Sequence, residues 1–91
     1  MIVTDEMRCW YCGNPSTEVH HCLYGTANRA KAEKYGLTVR LCKEHHTGKT
    51  GVHMNPNTGL DLHLKKMAQE YFEEHYGDRE LFIKEFGKSY L

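Results

Sequence analysis

A chain of 91 residues makes one domain, and its balance of 12 basic against 12 acidic side chains excludes a protein that holds nucleic acid by bulk charge alone. No run approaches the ~20 apolar residues of a membrane span. The N-terminus has no apolar leader-type stretch and carries Asp5 and Glu6 early, so a cytoplasmic protein is expected.

In that compartment four cysteines point to metal or redox chemistry before disulfides. A domain this small often needs such a staple, because it buries only a modest share of its surface.

Along the chain, residues 9–13 (CWYCG) read as a tight knuckle, with Gly13 and Pro15 enforcing turns. Residues 18–23 read as a short strand that ends before Gly25. Residues 26–35 (TANRAKAEKY) are helix formers with a stop at Gly36. Leu37, Val39 and Leu41 alternate with Thr38 and Arg40, which predicts a half-buried strand running into Cys42. A short helix through His45 and His46 follows, ended by Gly48 and Gly51, and residues 51–59 (GVHMNPNTG) read as loop.

The last third changes character. Leu60, Leu64, Met67, Tyr71 and His75 recur on one face of a helix over residues 60–76, with Ala68 and Phe72 beside them. Thr58 is placed to cap its start, with Asp61 three residues on. Gly77 ends it, and Asp78 caps a last helix whose Leu81, Phe82 and Phe86 face inward. The stripe of Met and aromatics predicts core, with both helices as scaffold. The expected organisation is one α+β domain over residues 1–91, with a zinc-stabilised core over 9–54 and a helical extension over 58–91.

Charge is uneven along this plan. Residues 19–54 carry Arg29, Lys31, Lys34, Arg40, Lys43 and Lys49 against Glu33 and Glu44. The Cys- and His-bearing half is therefore the basic half, where a phosphate-bearing partner would dock.

Structural zinc takes four soft or borderline ligands, commonly as two short-spaced pairs. Cys9-x-x-Cys12 is one pair, and Cys42-x-x-His45 repeats the spacing. Together they predict a Cys3His zinc site. Seven residues between Cys12 and His20 are too few for a two-Cys, two-His finger, which uses ~12.

His20, His21, Cys22, His46 and His53 are left over. At the end of a strand and on the helix after Cys42, the two histidine pairs are placed to converge on a second, solvent-open cation. An open cation beside a free imidazole is apparatus for phosphodiester hydrolysis. Cys22 is either simply buried or an alternative zinc ligand.

The succession CxxCG, then VHH, then an Asn, then LCxxxH with a second His beside it, resembles the HNH endonucleases. In that family a ββα-metal hairpin and helix sits on a Cys-rich zinc knuckle. Residues 20–53 look closest to small phage-encoded HNH proteins. They are more distantly similar to the phage recombination-enhancement nucleases that act with the RecA recombinase. The resemblance implies a DNA endonuclease in which His21 is the general base. It further implies that His20 and His46 hold a catalytic divalent cation, Mg2+ or another; His53, from its loop, is the alternative to Asn28 for completing the site, as a further metal ligand. Asn28 is the candidate for the family asparagine, although it lies well upstream of Cys42 in an inserted helix. Arg29 and Lys49 are candidate phosphate contacts.

Two other readings stand beside this one. One is a non-catalytic zinc-knuckle module that holds DNA. The other is an interaction protein of the phage recombination or replication machinery. A mere zinc knuckle does not need His20, His21 and His46, and the interaction protein would dock through the acidic C-terminal helices.

Overall fold

A computed structural model describes Ile2, residues 7–16 and residues 18–91. The acidic pair Asp5 and Glu6 lies outside them. The elements run β1 (Val19–His21), α1 (Asn28–Lys34), β2 (Thr38–Arg40), α2 (Lys43–His46), α3 (Gly59–His75) and α4 (Arg79–Phe86). This is a small α+β fold with a radius of gyration of 12.5 Å. Among the described residues no helix is long and apolar enough to cross a membrane.

The two strands form one antiparallel pair, with His20 opposite Val39 and His21 opposite Thr38. Both are shorter than their sequence pattern suggests, although the ladder runs on by one bond at each end. Cys22 N–H donates to Leu37 O (3.0 Å), and Leu41 N–H donates to Glu18 O (3.2 Å). The alternation across β2 is also less clean than expected, because Thr38 is buried along with Leu37, Val39 and Leu41. The outer edge of β2 is covered. Ile2 N–H bonds Thr38 O and Trp10 N–H bonds Arg40 O (2.9 and 2.7 Å), so the segment before the hairpin covers groups that an edge strand leaves open.

Helix α1 is inserted between the paired strands. It stops where expected, with Gly36 at φ +68° and Leu37 N–H turned back to Ala32 O. Helix α4 begins as the sequence predicts, because the Asp78 carboxylate accepts from Leu81 N–H at 2.9 Å. Helix α3 does not. Thr58 occupies the cap position, but its hydroxyl makes no capping bond.

The buried face of α3 is rotated from the expected stripe. Leu64, Ala68 and Phe72 are buried, flanked by buried Asp61, Lys65 and Gln69. Met67 and Tyr71 are only half-buried and His75 is exposed. The polar members of the buried face are tolerated because each has partners. Gln69, for example, accepts from Tyr90 N–H (2.7 Å) and donates to Ser89 Oγ (2.9 Å).

Phe72, Phe82 and Phe86 meet edge-on and tilted, and Tyr35 of the α1 stop packs on Phe72 with ring centroids 5.0 Å apart. Leu23, Leu37, Val39, Leu41 and Val52 join the same cluster. The C-terminal helices thus close the core beneath the hairpin, and burying each such side chain contributes about 1.5–3 kcal/mol.

Candidate metal centres and active site

Two turns meet at the first centre. In the knuckle, Cys9 N–H donates to Asn14 O and Gly13 N–H donates to Cys9 O (2.7 and 2.9 Å), with Gly13 at φ +79°. Opposite, α2 begins directly after Cys42, so one helical turn carries Cys42 and His45 to the same face. Cys12 Sγ lies 3.7 Å from Cys42 Sγ, while His45 Nδ1 is 3.2 Å from Cys42 Sγ and 3.8 Å from Cys9 Sγ.

A tetrahedron with Zn–S bonds of ~2.3 Å has edges of about 3.7 Å. Cys9, Cys12, Cys42 and His45 therefore form a Cys3His group able to hold a metal such as zinc. Burial alone would raise the Cys9 thiol, but backbone N–H groups around Cys12, Cys42 and Tyr11, with His45, bring it down to about 6. Cys42 moves the other way, raised by burial and by sharing its surroundings with the Cys12 and Cys9 sulfurs. A cation is what lets all three sulfurs ionise together. Cys22 is not in the group. It is buried in the core, where desolvation and then the Asp61 charge push its thiol up to about 12.

The second centre lies on the other side of α2. Gly51 brings the following loop against the helix so closely that a Cβ there would stand 2.8 Å from the backbone of Glu44 and His46. Val52 N–H then donates to His45 O and His53 N–H to His46 O (3.0 and 3.2 Å). His20 projects from β1 into the same space. The three rings pack with centroids 5.2 Å (His20–His46), 5.2 Å (His20–His53) and 4.8 Å (His46–His53) apart. Their ligating nitrogens all fall within 4.8 Å of one another.

His20 is 1 % exposed, and its Nε2 is buried without a hydrogen-bond partner. Burial, and then the neighbouring His46 and His53, hold its ring down to about 3, so it is a neutral imidazole with a free lone pair. Burial also lowers His53. His46 Nδ1 lies 2.8 Å from Glu18 Oε1. A carboxylate only accepts, so Nδ1 carries the proton and Nε2 is left for the trio.

An orphaned buried nitrogen facing two further imidazoles fits a divalent ion. The donor set is all nitrogen, which suits borderline transition ions. Mg2+ takes oxygen ligands, so that part of the expectation does not match these residues.

A cavity of about 170 Å³ opens onto the trio, lined also by Val19, His21, Tyr24 and Arg29. His21 Nε2 lies 2.5 Å from Glu33 Oε2, so by the same argument Nε2 bears the proton and Nδ1 is the free acceptor. Arg29 is exposed on the rim beside His21.

Two expected members stand elsewhere. Asn28 does not line this cavity. It opens α1, and its amide donates to Phe86 O (3.4 Å), tying the inserted helix to α4. Lys49 lines a separate cleft beside the start of α3. Asn55 braces the loop after α2, its Nδ2 donating to Lys49 O and to Gly51 O (3.1 and 3.0 Å) at the close approach.

Glu18, Glu33, Tyr24 and Asn55 were not singled out by sequence reasoning. Only Glu18 carried a usable signal, a carboxylate two residues before the first histidine on a strand. Comparison of the chain with models of protein families, with curated proteins and with solved structures found no match.

Proposed function

We propose that the protein is a metal-dependent nuclease of the HNH, ββα-metal kind that hydrolyses phosphodiester bonds in DNA. The observation that carries this reading is the orphaned Nε2 of His20 facing His46 and His53, in a cavity whose rim holds His21 and Arg29. The paired strands, the Cys3His group and α2 support the same reading, because they put both centres on one hairpin-and-helix unit. The location of the cavity in the basic half of the chain supports a phosphate-bearing substrate.

His20, His46 and His53 would hold a divalent transition ion such as Zn2+, Ni2+, Co2+ or Mn2+. When bound, that ion would supply charge neutralisation at the phosphate and at the leaving oxygen. The remaining work falls to side chains of this chain. His21 takes the proton of the attacking water at Nδ1, and Glu33 stabilises the imidazolium that results. Arg29 presents its guanidinium to phosphate oxygens and orients the scissile group. Burial keeps His20 neutral, which preserves its lone pair for the ion.

The test is plasmid cleavage by zinc-loaded protein with no added ion and with Ni2+, Co2+, Mn2+ or Mg2+. Nicking or linearisation is expected with one or more of the transition ions. His21→Ala should reduce the rate roughly 10²–10⁴-fold while leaving zinc content unchanged. A wild-type protein that cuts DNA with none of the ions sinks the reading.

A further inference from the structure

A buried ion pair lies behind the histidine cavity. Asp61 and Lys65, one turn apart on α3, have Oδ2 and Nζ 2.9 Å apart, with side chains 0 % and 7 % exposed. Desolvating two charges is expensive, and apolar replacements of such pairs are often neutral or stabilising. The pair therefore needs an explanation beyond stability.

Its other bonds supply one. The Asp61 carboxylate also accepts from the Tyr24 hydroxyl (3.1 Å) and from Asn57 N–H (2.6 Å). Lys65 Nζ donates to Asn57 Oδ1 (2.7 Å) and sits 4.6 Å above the Tyr24 ring. Asn57 closes the loop that carries His53 and takes φ +58°, a conformation asparagine tolerates. Tyr24 leans on the site itself, with ring centroids 5.0 Å from His53 and 5.8 Å from His20. His53 is exposed and comes from a loop. Its own backbone bond to α2 fixes where the residue starts, not where the ring points.

We infer that Asp61, Lys65 and Tyr24 are positioning residues for His53, so that α3 is a working part of the second metal site. The inference rests on reading the three histidines as a metal site. One carboxylate grips both the loop end and the aromatic wall, and so sets the distance from His53 to His20 and His46. Asp61 and Lys65 do not line the histidine cavity, and Tyr24 lines it as a wall outside the ligand trio.

The experiment uses the full-length, zinc-loaded chain and Ni2+ as probe. Asp61→Asn keeps the shape but exchanges one acceptor oxygen for an NH2 donor and removes the charge, so it cannot serve the Tyr24 hydroxyl on one side and Asn57 N–H with Lys65 on the other together. The double change Asp61→Leu with Lys65→Met removes both buried charges and avoids stranding one. Each should retain its zinc and weaken Ni2+ binding tenfold or more. Each should also lose the nuclear Overhauser contact between the Tyr24 and His53 rings that their 5.0 Å separation leads one to expect in the ion-free wild type.

Tyr24→Phe deletes one hydroxyl and covers the case in which both charge variants fail to fold. It should weaken Ni2+ binding several-fold with no change in zinc content. A folded variant that binds Ni2+ like wild type and keeps the ring contact overturns the inference. If wild type binds no second ion, the metal reading of the trio falls, and the ring contact alone decides whether α3 positions His53.

Discussion

His45 and His46 are adjacent in the chain and face different centres. His45 Nδ1 stands 3.2 Å from Cys42 Sγ, whereas the His46 ring centroid is 5.2 Å from that of His20. One step along a helix turns a side chain by about 100°, enough to divide the pair. The prediction is a clean split of phenotypes. His45→Ala should lose zinc and the folded state with it, because a structural site contributes roughly 10 kcal/mol or more to folding. His46→Ala should keep one zinc per chain and lose Ni2+ binding. Elemental analysis and Ni2+ titration of both variants check it, and exchanged phenotypes would reverse the assignment.

Gly51 is the hinge of the second centre. A methyl group there would press on backbone atoms of Glu44 and His46, which cannot swing aside as a flexible side chain can. Gly51→Ala should therefore lift the loop from α2 and strain the bonds that Val52 and His53 make to it. The expected loss is about 1–3 kcal/mol in urea denaturation, the usual scale of overpacking. Ni2+ affinity should fall with it. A variant as stable as wild type would mean that the loop moves freely.

Acid should act through His20. Its ring is held down to about 3 in the folded protein by burial and then by His46 and His53, and returns to about 6.5 when unfolded. Between those values the unfolded chain binds a proton that the folded chain does not. Stability from this group is thus fully present above about pH 6.5 and is lost as pH falls towards 3. The slope from one such residue is at most about 1.4 kcal/mol per pH unit. His53, lowered in the same direction, adds to it. Denaturation between about pH 7 and pH 5.5 should show a steeper loss for wild type than for His20→Gln. Equal slopes would contradict a buried, neutral His20.

The Cys3His group was legible because its spacing is local: two matched pairs of the form x-x suffice. The trio was legible only as a surplus of histidines, since its geometry depends on how the loop after α2 folds back at Gly51. Asn28 stands out in the sequence because chain order puts an asparagine between the histidine pair and Cys42, whereas its position in the fold depends on α1, which turns it towards α4. Asn55 does the bracing from a loop with no periodic pattern to mark it. The buried face of α3 escaped for a related reason. Asp61, Lys65 and Gln69 look like solvent residues until their mutual partners are known, so hydrophobic periodicity alone chose a stripe about one step round the helix.

That rotation is itself testable. Leu64 is fully buried, so Leu64→Ala should cost on the order of 2–5 kcal/mol. Met67 belongs to the same expected stripe but is only half-buried at the edge of the cluster. Met67→Ala should fall below that range. Equal losses from the two, measured by chemical denaturation, would restore the stripe read from the sequence.

Glu33, on α1, reaches His21 Nε2 at the rim of the cavity. Its carboxylate is 70 % exposed, and an ion pair so placed contributes ~0–1 kcal/mol to folding, so Glu33→Gln should leave stability nearly unchanged. It should also leave Ni2+ affinity unchanged, because Glu33 is outside the histidine trio. What the substitution removes is the carboxylate charge beside His21 Nε2, which the proposed mechanism uses to stabilise the imidazolium. A glutamine oxygen can still accept from Nε2–H, so the ring keeps its orientation and Nδ1 stays the free nitrogen. The turnover rate should then fall by roughly tenfold with KM unmoved, less than the loss from His21→Ala. Residues that act as one unit are not additive, so the double variant should be no slower than His21→Ala alone. Steady-state kinetics of the two single variants and the double variant provide the check. Additive losses would separate Glu33 from His21 and assign its carboxylate a role of its own at the rim.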